Sequence, residues 1–289
     1  MADFVFIIHK GDIEAKSLIL AASLRQKFGK VQRVHAAVPM INGEAWISEK
    51  AVEILKILEI SVFAFSNPLI QSVNPCEKYI LYANKIFVLD SLSNKHHLIF
   101  LDSDMICLEK FSIDSSLEKY LLLRAAGYMK IDNWKDIYDH FDLEMPTTKI
   151  KGILDGKHSF PYFNAGFIGL STHVQEILVK DWKYYFMKLR KHPMVQSNLK
   201  NLDQITLSLA IQSSRIDYKL ISTAFNYPLA YSYPVGNELP YLIHYHKPEN
   251  ILTDSRISNK FRMILKNFEE IIPVISNYPE WRKIIKRAL

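Results

Sequence analysis

The run FVFIIH at residues 4–9, broken by Gly11 and followed by IEAKSLILAASLRQKFG, most constrains what this chain can become. A continuous apolar run of strand length marks a strand buried on both faces. In the next segment Ile13, Leu18, Leu20, Ala21 and Leu24 fall mostly on one helical face, and Gly29 suits a helix C-cap. The pattern then repeats. VQRVHAAVPM reads as a strand, EAWISEKAVEILKILEI as an amphipathic helix and SVFAF as a third strand. Strand, helix, strand, helix, strand is the pattern of a parallel sheet with helices on its faces. KYILYANKIFVLDSL is expected to form another helix, leading into an apolar strand that ends in Asp102.

The second half is more mixed. YLLLRAAGY and YFNAGFIGLS read as strands, the latter with Gly166 and Gly169 inside it. VQEILVKDWKYYFMKLRKH reads as a helix with an aromatic face, LDQITLSLAIQS as a shorter helix and LPYLIHYH as a late strand. The remainder is helical and basic. No internal repeat or low-complexity linker divides the 289 residues. The expectation is one α/β domain with an N-terminal nucleotide-type half and a C-terminal half completing a cleft. Ligands of open α/β sheets bind at the carboxyl ends of the strands, and Asp102 and Asp104 lie at such an end.

Composition narrows the function classes. The net charge of +6, from 36 basic and 30 acidic residues, suits an anionic ligand or an acidic membrane surface. No nucleic-acid-binding motif accompanies it, so DNA or RNA is not an expected partner. Cys76 and Cys107 alone make no disulfide framework, and Cys107 sits in an apolar run that predicts burial. Asp3 and His9–Lys10–Gly11 interrupt the opening apolar stretch, which therefore does not read as a signal peptide. No apolar run reaches membrane-spanning length. The expectation is a cytoplasmic protein.

HHLIFLDSDMICLEKF carries the chemistry. In an extended segment residues two apart point to one side, so Asp102 and Asp104 converge with small Ser103 between them. Two close carboxylates repel unless a cation or a shared proton relieves them. A hard divalent ion takes oxygen ligands and reaches proteins through carboxylates plus substrate phosphates. The reading is a metal–diphosphate site; the plainer alternative is a loop with one capping and one solvated aspartate.

Six separated segments, SLILAASLR, YANKIFVLD, IFLDSDMICLE, YFNAGFIGLS, LDQITLSL and IHYHKPENI, together resemble the retaining nucleotide-sugar glycosyltransferases of family 8, the glycogenin and bacterial lipopolysaccharide galactosyl- or glucosyltransferase type. The resemblance spans residues 4 to 252. It implies a GT-A type single domain over 1–252, with a Rossmann-like nucleotide-binding half and a mixed central sheet, and leaves 253–289 as a helical basic extension. It implies that Asp102, Asp104 and His244 hold Mn²⁺, or Mg²⁺, and that a UDP-sugar is the donor. Lys247 matches a diphosphate-contacting lysine of the family's H-x-G-x-x-K-P-W stretch. Here HYHKP shortens the spacing, His246 stands at the family's glycine and Glu249 at its tryptophan. Lys85 matches a lysine facing the donor, Asn164 a sugar contact, and Asp203 and Gln204 the pair at the anomeric centre. Ile7, Ile8 and His9 are implied to form the base pocket, with Ser103 in the donor-binding set. The family often has an aspartate near residue 127; Asp132 is the nearest here.

Each residue has a duller role open to it: His244 as a satisfied core histidine, Lys85 as a solvated helix residue, Asn164 at a turn or bulge, Asp203 as an N-cap. The aromatic runs Tyr184–Phe186 and Tyr227–Tyr233 are expected to pack. The implied activity is metal-dependent transfer of a hexose from a UDP-sugar to an acceptor hydroxyl, with retention. The acceptor is a saccharide, a lipid-linked molecule or a protein. Two alternatives stand beside it. One is a non-catalytic nucleotide-binding relative, favoured by the changed HYHKP stretch. The other is a nucleotidyltransferase, disfavoured because HKGDIEAK supplies a single glycine. At 281–289, Trp281, Ile284, Ile285 and Leu289 face one way and Arg282, Lys283, Lys286 and Arg287 the other. Such a helix either lies peripherally on an inner membrane face or docks on its own domain.

Overall fold

The computed structural model describes residues 2–72, 79–92, 96–113, 115–127, 133–153, 156–229 and 235–289. Cys76, Asp132, Lys78 and the 230–233 part of the Tyr227–Tyr233 run lie outside the described residues.

β1 (Asp3–Ile7) is buried along its length, and α1 (Asp12–Phe28) and β2 (Val34–Ile41) follow. Gly11, at φ 103°, occupies a conformation that side chains disfavour and makes the sharp corner from β1 into α1. The segment expected as one helix from Glu44 divides in two. Asn42 and Gly43 both have positive φ, and the chain turns back so that β3 (Glu44–Ala45) pairs antiparallel with β2. Asn-Gly is the pair a tight hairpin turn favours. The helix proper, α2 (Glu49–Ile57), starts after Ser48, whose hydroxyl accepts the Ala51 N–H. β4 (Ser61–Ser66) is followed by α3 (Pro68–Ser72), α4 (Tyr79–Tyr82) and α5 (Asn84–Ser91). The single helix expected over KYILYANKIFVLDSL is thus two, parted at Ala83.

β5 (Leu98–Leu101) and β6 (Met105–Cys107) flank the aspartates. α6 (Ser116–Lys119), β7 (Leu121–Ala125) and α7 (Trp134–His140) precede a small hairpin of β8 (Ile150–Lys151) and β9 (His158–Ser159). Next come β10 (Phe163–Leu170), α8 (Thr172–Leu189), α9 (Leu202–Ser213) and β11 (Tyr218–Leu220). β12 (Tyr227–Pro228), β13 (Leu242–His244), α10 (Ser255–Asn267), α11 (Ile272–Ile275) and α12 (Pro279–Ala288) complete the chain.

The mixed α/β class expected from the alternation is what forms, as two compact units. The first comprises Met1–Ser66, Ile99–Ile113 and Ser222–Leu289. In it β2 pairs in parallel with β1 and β4, and β5 lies beside β1. A smaller sheet is ordered β12, β13, β6, with β13 antiparallel to β6. α1 is buried nearly all round, as a helix inside a core must be, and even Arg25 is enclosed. Its guanidinium donates to the carbonyls of Leu58, Glu59, Gly29 and Gln32, which satisfies a charged group that burial alone would penalise. Cys107 is buried as expected; burial pushes its thiol pKa up, away from reactivity.

Residues 253–289, read from sequence as an extension, fold into this first unit. Trp281, Ile284, Ile285 and Ala288 are buried, and the Trp281 ring meets Tyr245 and Phe261. Trp281 Nε1 donates to Asp12 Oδ1 at 3.0 Å and the Tyr278 hydroxyl to Glu14 Oε2 at 3.2 Å. The apolar face offered to a membrane is therefore spent on the protein, and Arg282, Lys283, Lys286 and Arg287 stay exposed. Among the described residues, no helix is long and apolar enough to cross a membrane.

The second unit comprises Asn67–Leu98 and Asp114–Ile221. β7 pairs antiparallel with β10 and parallel with β11. The β10 register shifts between Asn164 and Ile168, a bulge in the strand. A Cβ at Gly169 would meet Leu122 Cβ at 3.0 Å, so glycine is what lets β10 lie this close to β7. On α8, Trp182, Tyr185 and Phe186 are buried while Tyr184 is exposed, so the aromatic run packs only in part.

Candidate functional site

Pairing of β13 with β6 builds the core of the first site. The register sets His244 opposite Met105, and Tyr245 N–H donates to the Asp104 carbonyl. Two residues distant in sequence are thereby held side by side. His244 Nε2 lies 2.8 Å from Asp104 Oδ1, and His246 Nδ1 lies 3.6 Å from Asp104 Oδ2. Each carboxylate oxygen thus faces one imidazole. Donor atoms of Asp104, His244 and His246 all fall within 4.8 Å of one another.

Asp102 lies outside this triad. Its expected convergence with Asp104 supposed an extended segment. Instead Ser103 and Asp104 form a turn joining β5 to β6, so two-residue alternation does not govern their side chains. Asp102 is half-buried, and its charge still acts on the His246 ring. His246, which the sequence offered only as a departure at a glycine position, is the third member. It has φ 53°, in the left-handed region, and Lys247 N–H bonds to Tyr245 O across it, closing a tight γ-turn. A glycine would be at ease there; a histidine held there reaches Asp104.

The triad fits a divalent cation by its chemistry. His244 Nδ1 lies 3.1 Å from Asn226 Oδ1, so both ring nitrogens face oxygen acceptors. The ring satisfies both as an imidazolium, or with a cation in place of the Nε2 proton. A carbonyl oxygen on the far nitrogen is the usual support for a metal-bound imidazole. Burial alone would raise the Asp104 pKa, but the neighbouring His244 and His246 outweigh it and hold the carboxyl well below its ordinary range. His246 is lowered by burial first and then by His244, against the opposing pull of Asp104 and Asp102.

The end of β1 lies in the same unit. Ile7, Ile8 and His9 are all buried. The Ser103 hydroxyl donates to Ile7 O, tying the turn that carries Asp104 to this strand end. His9 stacks on Trp46, with ring centroids 4.5 Å apart, and its Nδ1 lies 2.8 Å from Lys10 O. With Nδ1 donating there, Nε2 is left as an acceptor. Lys16, which the sequence reading passed over, bonds to Asp12 at 2.7 Å and lies 3.5 Å from His246 O, and its charge helps depress Asp104. The Lys247 side chain is exposed.

A second cluster lies within the second unit. Lys85 Nζ is 2.9 Å from Asp203 Oδ2 and 3.2 Å from the carbonyl of Ala165, inside the β10 bulge. Lys85 and Asp203 are both buried, so Lys85 does not take the solvated role open to it. Asp203 is not the N-cap of α9; Asn201 is. Trp182 Nε1 fixes the Asp203 carbonyl at 2.9 Å, while Asp203 Oδ1 has no hydrogen-bond partner among the described residues. An unmatched buried carboxylate oxygen is costly in a purely structural role. Asn164 is half-buried and its Oδ1 accepts the Gly166 N–H at 2.9 Å, the bulge role that was its duller option. Gln204 is half-buried beside Asp203 on α9.

The buried histidines make stability depend on pH. Burial lowers His9, and burial with His244 lowers His246, both below the ordinary 6.5. In the unfolded chain these rings take up protons near 6.5, while the folded chain holds them neutral to lower pH. The unfolded state therefore binds more protons in that window, and stability falls as pH drops below about 6.5. Metal-free protein at pH 5.5 is expected to unfold at lower urea than at pH 7.5. His9→Gln should flatten that dependence; an unchanged slope in the variant would remove His9 as a contributor.

No curated protein sequence matches the chain. Residues 4–215 match the model of the Rhodobacterales glycosyltransferase domain, and the chain belongs to that glycosyltransferase family.

Proposed function

We propose that this glycosyltransferase moves a hexose from a UDP-sugar to an acceptor hydroxyl using a divalent ion held in the first unit. The observation that carries the reading is the meeting of Asp104 with His244 and His246 in a chain of a glycosyltransferase family. Asp104 and His244 are the proposed ligands, with Asp102 acting through its charge from outside the triad, and a carboxylate joined by imidazole suits Mn²⁺ better than Mg²⁺. When bound, the ion would neutralise charge developing on the leaving diphosphate, which is why no strong general acid is required.

The chain's own groups bind and orient. Lys247 and Lys16 are the cations assigned to the diphosphate. His9 accepts the uracil N–H through Nε2, the nitrogen that its bond to Lys10 O leaves free. Ile7, Ile8 and Ser103 shape the base and ribose end. In the second unit, Asp203 Oδ1 accepts a hydroxyl of the sugar or acceptor, held in place by Lys85. Gln204 and Asn164 are assigned to the sugar. The family-8 resemblance implies retention at the anomeric carbon. The acceptor is a saccharide, lipid-linked or protein hydroxyl. The exposed basic face of α12 is the part assigned to an acidic membrane surface.

A panel of UDP-hexoses with Mn²⁺ tests the reading, with UDP binding followed by calorimetry. Hydrolysis of at least one donor, abolished by EDTA and restored by Mn²⁺, is expected. UDP binding with no turnover of any donor would favour a non-catalytic nucleotide-binding protein. Turnover untouched by EDTA would sink the metal assignment.

A further inference from the structure

We propose that His246 is itself a metal ligand, so that the first unit holds its cation through one carboxylate and two imidazoles. The inference rests on the metal-dependent reading and adds a residue to it. It also alters which ion the site selects.

Three observations carry it. First, the His246 ring is aimed at the oxygen of Asp104 that His244 leaves open: Nδ1 to Oδ2 at 3.6 Å, with Oδ1 taken by His244. The two imidazole centroids are 3.9 Å apart, so the rings converge on one carboxylate instead of diverging to solvent. Second, the distances suit a shared ion. Ligand atoms about 2.0–2.2 Å from one metal can be no more than roughly 4.4 Å from each other. The donors here lie within 4.8 Å, so closure by a few tenths of an ångström suffices. Third, the backbone is held in an uncommon conformation to achieve this. A non-glycine residue at φ 53°, braced by the Lys247-to-Tyr245 hydrogen bond, costs conformational energy that a glycine would avoid. That cost is understandable where the side chain has a task.

The consequence is ion selectivity. Mg²⁺ favours oxygen donors, whereas two nitrogens with one carboxylate shift preference towards Mn²⁺ and later divalent ions such as Co²⁺. His246 would thus set the preference for a transition metal and leave nucleotide recognition alone.

His246→Gly is the informative variant, because glycine accepts φ 53° and the fold is retained. Calorimetry with MnCl₂ or MgCl₂ alone, and pulsed paramagnetic resonance counting imidazole nitrogens on bound Mn²⁺, are the readouts. Wild type is expected to show two imidazoles. His246→Gly is expected to show one, with Mn²⁺ affinity weakened about 10-fold or more and Mg²⁺ affinity little changed. One imidazole in wild type, equal Mn²⁺ affinity in the variant, or no Mn²⁺ uptake by wild type overturns the inference. Asp104→Asn separates the two levels. If it abolishes Mn²⁺ binding and His246→Gly does not, only the His246 assignment fails. If neither variant changes Mn²⁺ binding and EDTA leaves donor turnover intact, the metal reading fails as well.

Discussion

Asp104→Asn is expected to lower UDP-sugar hydrolysis at least ~10²-fold, a loss of about 2.7 kcal/mol of transition-state stabilisation. The substitution changes little in shape. The Asp104 carbonyl, which accepts Tyr245 N–H, is untouched, so the β6–β13 pairing that builds the site should survive. What disappears is the negative charge facing both His244 and His246. An amide also offers an N–H to rings that need an acceptor, and it is a poorer ligand for any divalent ion. Excess Mn²⁺ should recover part of the activity if the defect is in metal affinity. Asp102→Asn should cost less, because Asp102 lies outside the triad and acts on His246 through its charge. Equal activity of wild type and Asp104→Asn, both folded and both binding UDP, would refute the assignment of this carboxylate.

The contrast between the two aspartates also marks where sequence reading reaches and where it stops. Apolar runs at 4–9 and 98–101 are legible as buried strands because burial on both faces demands such runs. The carboxylates after the second run are legible as a candidate site because their isolation next to a core strand is unexpected. Their geometry is not. Whether Asp102, Ser103 and Asp104 extend or turn depends on β6 leaving the line of β5 to pair with β13, a contact with a segment far along the chain. Periodicity carries no information of that range. His246 was visible only as a misfit at a glycine position, and its meaning required the positive φ that the turn imposes. Lys16 was hidden for the same reason, since its neighbour across space is residue 246.

Other departures from the expected elements are local. Asn42–Gly43 between VPMI and EAW is a hairpin signal, and β3 forms there in place of the first turns of a longer helix. The tail is a subtler case. Its amphipathic pattern is legible, but a pattern cannot say whether the apolar face meets lipid or protein. Trp281 bonded to Asp12 and set against Tyr245 and Phe261 answers that. α12 and α1 belong to one unit with the Asp104 triad.

Lys85→Met is expected to be the most destabilising of the site substitutions. Lys85 and Asp203 are 2.9 Å apart and enclosed, with side chains 7% and 4% exposed. Removing one member of a buried pair leaves the other charge without its counter-ion, a loss of about 3–5 kcal/mol. For a chain of this size that is a fall in melting temperature on the order of 10 °C. The Ala165 carbonyl in the β10 bulge loses a donor at the same time. Lys85→Met with Asp203→Leu removes both charges together, and apolar replacements of a buried pair are often close to neutral. The double variant should therefore recover much of the stability lost in the single one. Activity should follow a different course. If Asp203 Oδ1 is kept unpaired in order to receive a substrate hydroxyl, the double variant regains its fold and stays inactive. A double variant that is both stable and active would mean that the pair is structural only, and that hydroxyl recognition lies elsewhere in the second unit.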